Sequence, residues 1–309
     1  MKNVVRILFG LLLAVVLGKS VLAQALQKIV IADTPTTHHL NLYVAKEKGI
    51  FEKHGLDVQI NEVQSAAAQR DLVISRRADG YWACPTAVMG AIGNGAPIEF
   101  VAQVKRPCTS VLMVPQNSSI RTLKDLDGKT LGGLGPGCCA VIYIQKLAEG
   151  AGAKFNLVNM GGGAAIAALE SGSVAGVIVE EPHASIAELR GYRTLFRNEM
   201  KDSVCRTVQF HRAFVKANPQ AVKNLVAALD EANALINANP KAADIVDIAV
   251  KYTRTPREAV LHGNDRLRFT TKLDVEKHKE LAEYLVRIGI NRHNVVPEAF
   301  APELKGITW

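Results

Sequence analysis

Aromatic residues are scarce in this chain, at 6% of 309 positions with only two tryptophans. Lysines and arginines are scattered among acids rather than gathered in a run with interleaved rings, so nucleic-acid binding is not expected. After Ala25 no segment approaches the ~20 consecutive apolar residues that a membrane-spanning helix needs. No two of the five cysteines have the CxxC spacing of a structural zinc site. No Ser-His-Asp, Cys-His or metal-hydrolase constellation is identifiable either. Catalysis is therefore not expected, and no catalytic residue, cofactor or metal is assigned.

What is present begins at the N-terminus. Lys2 and Arg6 precede an apolar run from Ile7 to Leu17, followed by Lys19 and the small-residue stretch Val21 to Ala25. That is the layout of a secretory signal peptide over residues 1–25, with cleavage after Ala23 or Ala25. No cysteine sits just beyond either point to accept a lipid, so a freely diffusing periplasmic protein of a Gram-negative cell is expected. Removing the leader takes away Lys2, Arg6 and Lys19 and lowers the formal net charge from +8 to +5, a mild excess that suits a solvated surface. The roughly 285 residues that remain exceed one ordinary core and suit two domains, or one split domain.

An internal repeat organises the chain at an offset of about one hundred residues. From Tyr43 the sequence reads YVAKEKGIFEKHGLDVQINEVQSAAAQ and ends at ADGYWACPTAVMGAIGNG. From Tyr143 it reads YIQKLAEGAGAKFNLVNMGGGAAIAALESG and ends at VAGVIVEEPHASIAELRG. Helix, glycine, strand, small-residue turn, helix, strand, proline and helix recur in the same order. Strand-length apolar runs lie at Val58 to Val63, Gly80 to Ala83, Ile98 to Val104, Lys129 to Leu134, Phe155 to Met160 and Val174 to Val179. Thr36 or Thr37 can cap the helix that ends at Gly49, Ser65 can cap the next, and Pro85 and Pro182 suit first-turn positions. This alternation predicts an α/β fold twice over, each lobe with a mostly parallel sheet. From Asn218 the pattern becomes helical, with apolar residues at three and four spacing, and these helices are expected to cover the first lobe. The resulting division is 26–111 and 204–309 for a discontinuous first lobe, with 112–203 as the inserted second.

At this point the residues resemble a family. YVAKEKGIFEKHGLDV, the SAAA turn, LKDLDGKTLG, AALESGSVAGVIVEEP and FVKANPQAVKNLVAALDEANALINANP are similar to the nitrate/sulfonate/taurine-type substrate-binding proteins. Those share a fold with thiamine-pyrimidine-precursor binders. The resemblance implies a type II periplasmic binding protein: two α/β lobes, two hinge strands and a small-molecule ligand between the lobes. It also implies a membrane permease and a cytoplasmic ATPase of an ABC importer as partners, with the binding protein itself a monomer. The pyrimidine-precursor synthase of thiamine biosynthesis shares the fold and is the enzymatic alternative. This chain has Cys138-Cys139 in place of that enzyme's longer CCCFC-type run, and an export signal is out of place for cytosolic synthesis. A binding module that delivers ligand to a membrane receptor is a third reading.

In open parallel sheets ligands bind beyond the carboxyl ends of the strands, so equivalent loops of the repeat should line one cleft. The repeat pairs Thr37-His38 with Gly137-Cys138, Ser65-Ala66 with Gly163-Ala164, and Cys84-Pro85 with Glu181-Pro182; Thr86 follows Pro85 into its helix. Glycine-rich turns at Gly135 to Gly137 and Gly161 to Gly163 let backbone N–H groups approach an anionic ligand at helix starts. Of the adjacent histidines, His38 is assigned to the cleft rather than His39. Glu181, with Glu180 beside it, and His183 border the pocket, and a carboxylate there suits a ligand that also carries an amine or ring N–H. Arg106 and Arg206 flank the two crossing segments and could pair with an anion; Arg106 is placed in the site.

Cys108 and Cys205 lie on the two segments that should cross between the lobes, so a disulfide between them is geometrically possible. Cys84, Cys138 and Cys139 then fall near the ligand. Their use is open between soft-metal capture together with His38 and service as small buried residues.

Overall fold

The computed structural model describes residues 25–196 and 203–309, so the expected leader falls outside the described residues except for Ala25. In the first lobe the chain runs β1 (Gln27–Asp33), α1 (Leu40–Glu47), α2 (Ile50–Lys53), β2 (Leu56–Glu62), α3 (Ala66–Ile74), β3 (Gly80–Ala83), α4 (Pro85–Gly93) and β4 (Ile98–Lys105). A first crossing delivers β5 (Val111–Val114) to the second lobe. There follow β6 (Thr130–Gly133), α5 (Cys139–Gly150), β7 (Asn156–Asn159), α6 (Gly162–Glu170), β8 (Gly176–Val179), α7 (His183–Leu189) and β9 (Arg193–Phe196). The return crossing delivers β10 (Cys205–His211) to the first lobe. The tail is helical: α8 (Arg212–Ala217), α9 (Pro219–Ala238), α10 (Ala243–Thr253), α11 (Arg257–Gly263), α12 (Val275–Arg287) and α13 (Val296–Ala299).

The two sheets have the same architecture. The first has order β2-β1-β3-β10-β4 and the second β7-β6-β8-β5-β9. In each, four strands run parallel, and the fourth position holds an antiparallel strand that has just arrived from the other lobe. The expected mostly parallel sheets are thus present, with one antiparallel crossing strand in each. Apolar clusters sit on both faces of each sheet, as the near-continuous apolar strands require.

Local chemistry explains the breaks. The Thr36 hydroxyl accepts from the His38 N–H at 3.3 Å and starts a short 3₁₀ turn over Thr37–His39 that continues as α1. Gly49, at φ +65°, lets the chain turn from α1 into α2; nothing lies within 4 Å of where its Cβ would be, so the backbone angle alone calls for glycine. Ser65 caps α3 through the Ala68 N–H at 3.1 Å. Pro85 occupies the first turn of α4. Pro182 sits one place earlier than expected, at the N-cap of α7, and His183 is the first helical residue.

Helices α9 and α10 pack on α1, α12 on α4, and α13 beside β4. The tail departs from its expected place at one point: α11 packs against α7 of the second lobe. Gly263 makes this approach possible, because a Cβ there would lie 2.4 Å from Ser185 Oγ. Arg266 then reaches Glu181 at 2.8 Å and Glu188 at 2.6 Å. No helix among the described residues is long and apolar enough to cross a membrane.

Candidate functional site

A cavity of about 170 Å³ lies between the lobes at the carboxyl ends of the strands. The first lobe contributes Thr34, Pro35 and Thr36 after β1, His39, and Ala66 and Gln69 of α3. The second contributes Leu134, Met160 and Gly162, the end of β8 at Ile178 and Val179, then Glu180 and His183. Arg206 enters from the start of β10. The first residues of α3, α6 and α7, namely Ala66, Gly162 and His183, all line the space, so three helix N-termini face it. Ser65 already accepts from the third N–H of α3 and Glu181 from that of α7, so α6, which has no side-chain cap, offers the free N–H groups and dipole that favour negative charge there.

Charged side chains sit at one end. The Glu180 carboxylate pairs with the Arg206 guanidinium and lies 3.2 Å from His38 Nδ1. Burial pushes the Glu180 carboxyl up, but Arg206 and then His38 outweigh it and hold it well below the ordinary range. Burial disfavours the Arg206 cation, but Glu180 together with Cys205, Cys84 and Cys138 outweighs it, so the side chain remains a cation. It also has φ +41°, a left-handed conformation that costs energy in any residue with a side chain. Burial lowers the pKa of His183, against the pull of Glu180 and Glu181, and so favours its neutral form. His39 Nδ1 meets Asp33 at 2.6 Å, and Asp33 also accepts from the Tyr43 hydroxyl at 2.6 Å. That pairing fixes the ring and leaves Nε2 without a protein partner on the cavity side.

Two of the sequence-predicted residues, Ala66 and His183, line this cavity. Three others, His38, Glu181 and Gly163, each adjoin a residue of their own type that does. His38 is fully buried and held between Thr109, 3.1 Å from Nε2, and Glu180, while His39 faces the cavity. The 3₁₀ turn sets this choice of face, which a regular helix would have placed differently. Glu181 turns away to cap α7 through the Ser185 N–H and hydroxyl and to bind Arg266, leaving Glu180 at the cavity. Gly163 is replaced by Gly162, whose missing Cβ makes room for the His183 ring 2.3 Å away. Arg106 is drawn off by Asp274 and half exposed, and the other hinge arginine, Arg206, takes the inner position. Thr37 is buried beside the site with its hydroxyl unpaired, and Ser65 is spent on its helix cap.

The remaining five gather at a second junction between the lobes. Thr86 Oγ1 donates to the Gly137 carbonyl at 2.5 Å, and the Cys139 N–H donates to Cys84 Sγ at 3.0 Å. All five cysteines meet here as free thiols. Cys84, Cys138 and Cys139 form one group and Cys108, Cys139 and Cys205 another, with sulfurs in each within 4.8 Å of one another. Burial raises the Cys84 thiol, yet hydrogen bonds from Cys138 and Cys139 outweigh it and hold Cys84 well below its ordinary value. Bonds from Cys139 and Cys205 lower Cys108 likewise, helped by Lys105. Cys108 and Cys205 are therefore close, as their crossing positions imply, but unbridged. His38 belongs to neither sulfur group.

Thr34, Pro35, Gln69, Leu134 and Met160 were not anticipated. The hundred-residue offset itself pairs Thr34 with Leu134; the signal was there, but without β1 assigned there was no strand end on which to place Thr34.

Residues 36–243 match the family model described as NMT1/THI5 like. A 4-amino-5-hydroxymethyl-2-methylpyrimidine phosphate synthase of Saccharomyces cerevisiae is 24% identical over 68% of this chain, and the match spans just under two thirds of that protein, 66%. Among solved structures, the periplasmic aliphatic sulphonate binding protein of Escherichia coli has a TM-score of 0.76 at 18% identity, covering 90% of this chain and 92% of its own. The periplasmic nitrate-binding protein of Synechocystis PCC 6803 has a TM-score of 0.75 at 15% identity, covering 91% and 89%. These likenesses establish the periplasmic-binding-protein fold of two α/β lobes.

Proposed function

This chain belongs to the NMT1/THI5-like family, and from that premise we propose that it is the exported solute-binding component of an ABC importer and not an enzyme. A signal peptide over 1–25 directs it to the periplasm. A first lobe of 26–111 and 204–309 and a second of 112–203 close on a small solute and present it to a permease and its ATPase. The protein acts as a monomer. The observation that carries this reading is the cavity where matching loops of two duplicated sheets face each other. Only a solute that binds the closed form better than the open one can drive closure, and a cleft with donors from both lobes meets that condition.

The solute is small, because a cavity of about 170 Å³ lies below the usual range for drug-sized ligands. The uncapped N-terminus of α6, with Arg206 lining the same cavity, suits a sulfonate, nitrate or carboxylate group. Glu180 suits an amine or ring N–H on the same molecule, so a zwitterion such as an aminosulfonate fits both ends. The sulphonate- and nitrate-binding neighbours support this class. The test is a thermal-shift screen of the mature protein against sulfonates, aminosulfonates, nitrate, carboxylates and pyrimidines. A true ligand at a hundred times its Kd adds about 2.7 kcal/mol. A screen in which nothing stabilises the fold, while turnover of a pyrimidine-precursor substrate is detected, would replace this reading with the synthase-like one.

A further inference from the structure

The five thiols are not needed to line the solute cavity, yet they converge from four separate segments. Cys84 follows β3 at the start of α4 in the first lobe, Cys108 and Cys205 lie on the two crossings, and Cys138 and Cys139 open α5 in the second lobe. We propose that these cysteines form a buried all-thiolate site for a soft monovalent cation, Cu(I) in type, bridging the two lobes beside the hinge.

The sulfur spacing has room for three-coordinate binding. Thiolates about 2.3 Å from a metal stand about 4 Å apart in a trigonal arrangement, and Cys108 Sγ and Cys139 Sγ are 4.0 Å apart. Two triads share Cys139, so one bridging thiolate can serve two ions. Neither triad includes a histidine or carboxylate, and an all-sulfur set selects soft ions. Zinc in structural sites takes four ligands, whereas each group here offers three.

Donors and cations stand beside Cys84, Cys108 and Cys205. The α5 N-terminus supplies the Cys139 N–H to Cys84 Sγ at 3.0 Å. Lys105, wholly buried, holds the Cys108 loop through the Pro107 carbonyl and Thr109 hydroxyl, and Arg206 follows Cys205 directly. A groove of about 260 Å³ between α5 and α12 is lined in part by Cys139. On binding, thiol protons pass to the buffer and copper remains Cu(I), so no electron is exchanged. Because the ligands belong to both lobes and both crossings, occupancy stiffens the hinge. The inference does not depend on which solute the cleft holds, and a failed solute screen leaves it standing.

The test uses mature protein, reduced and handled without oxygen, titrated with Cu(I) in competition with bicinchoninate. The expected result is retention of about two ions per chain, one for each sulfur triad, with loss of reactivity toward a thiol reagent. Cys139→Ser should abolish retention, while Cys84→Ser should halve it by sparing the other triad. Should Cys139→Ser fail to fold by circular dichroism, the Cys84→Ser/Cys205→Ser double variant, which takes one ligand from each triad, replaces it and should likewise lose retention. No retention against the chelator, unchanged retention in these variants, or tighter binding of Zn(II) than Cu(I) would overturn the proposal. So would an intact mass lowered by pairs of hydrogens after isolation from the periplasm without reductant, since the thiols would then be disulfides.

Discussion

Glu180→Gln probes the charged end of the cavity most sharply. Glu180 and Arg206 have side chains only 14% exposed, and His38, wholly buried, leans on the same carboxylate. Removing one partner of a buried ion pair costs about 3–5 kcal/mol because the other charge is left uncompensated. The residual exposure, and the acceptor oxygen that glutamine keeps, reduce this to about 2–3 kcal/mol. At about 2–4 °C per kcal/mol for a chain of this size, Tm should fall by about 4–12 °C. Differential scanning fluorimetry at neutral pH reads it, within a double-mutant cycle that includes Arg206→Gln. The two losses should fall short of additivity by about 1 kcal/mol or more. The pH dependence has a definite sign. Glu180 is depressed below its ordinary 4.5, so its contribution is fully present above pH 4.5 and fades as pH falls below it; the variant should lack that part of the acid decline. A drop under about 2 °C with additive losses would refute the reasoning, since the pair would then be effectively solvated.

Gly162→Ala places a Cβ 2.3 Å from His183 Nδ1, whereas Gly163→Ala meets nothing within 4 Å; the first should weaken binding of the best thermal-shift solute by about tenfold or more and the second leave it unchanged, by titration calorimetry. Burial, then repulsion from Glu303, raises Glu99 to about 7. Its ionisation therefore costs stability as pH rises from 4.5 through 7, and Glu99→Gln should gain about 1–2 kcal/mol at pH 8 and nothing at pH 4.5. His278 is buried against Phe100 and Phe300 with Nε2 unpaired, and burial lowers it to about 4. Stability should decline as pH falls from 6.5 toward 4, and His278→Phe should flatten that limb in a Tm-against-pH profile.

The duplicated α/β plan was legible because it is written in period and punctuation: apolar runs of strand length, Gly49 and Ser65 at helix boundaries, and Tyr43 repeated at Tyr143. Gly80–Ala83 was placed to the residue. β1 was not recognised, because its short apolar stretch lies close behind the still longer apolar run of the leader. β5 and β9 owe their strand pairing to partners far off in sequence, and propensity alone does not register that. At the cavity the lining falls one residue from three expected positions, with His39 beside His38, Glu180 beside Glu181 and Gly162 beside Gly163. A one-residue choice rests on the local turn. The 3₁₀ geometry at Thr37–His39 and the capping of α7 by Glu181 decide which neighbour faces inward, and neither follows from residue type. The sequence placed the five cysteines at the cleft and the crossings, but not their gathering into two groups that share Cys139. Their spacing along the chain is irregular, and only the two crossings together bring Cys108 and Cys205 beside Cys139.

The central claim is that one small solute is held by both lobes at once. Isothermal titration with the solute found by thermal shift tests it, comparing the unaltered protein with His39→Ala on the first lobe and Gly162→Ala on the second. The account predicts one site per chain, with affinity lost in both variants while circular dichroism stays unchanged. Undiminished affinity in either variant would contradict it.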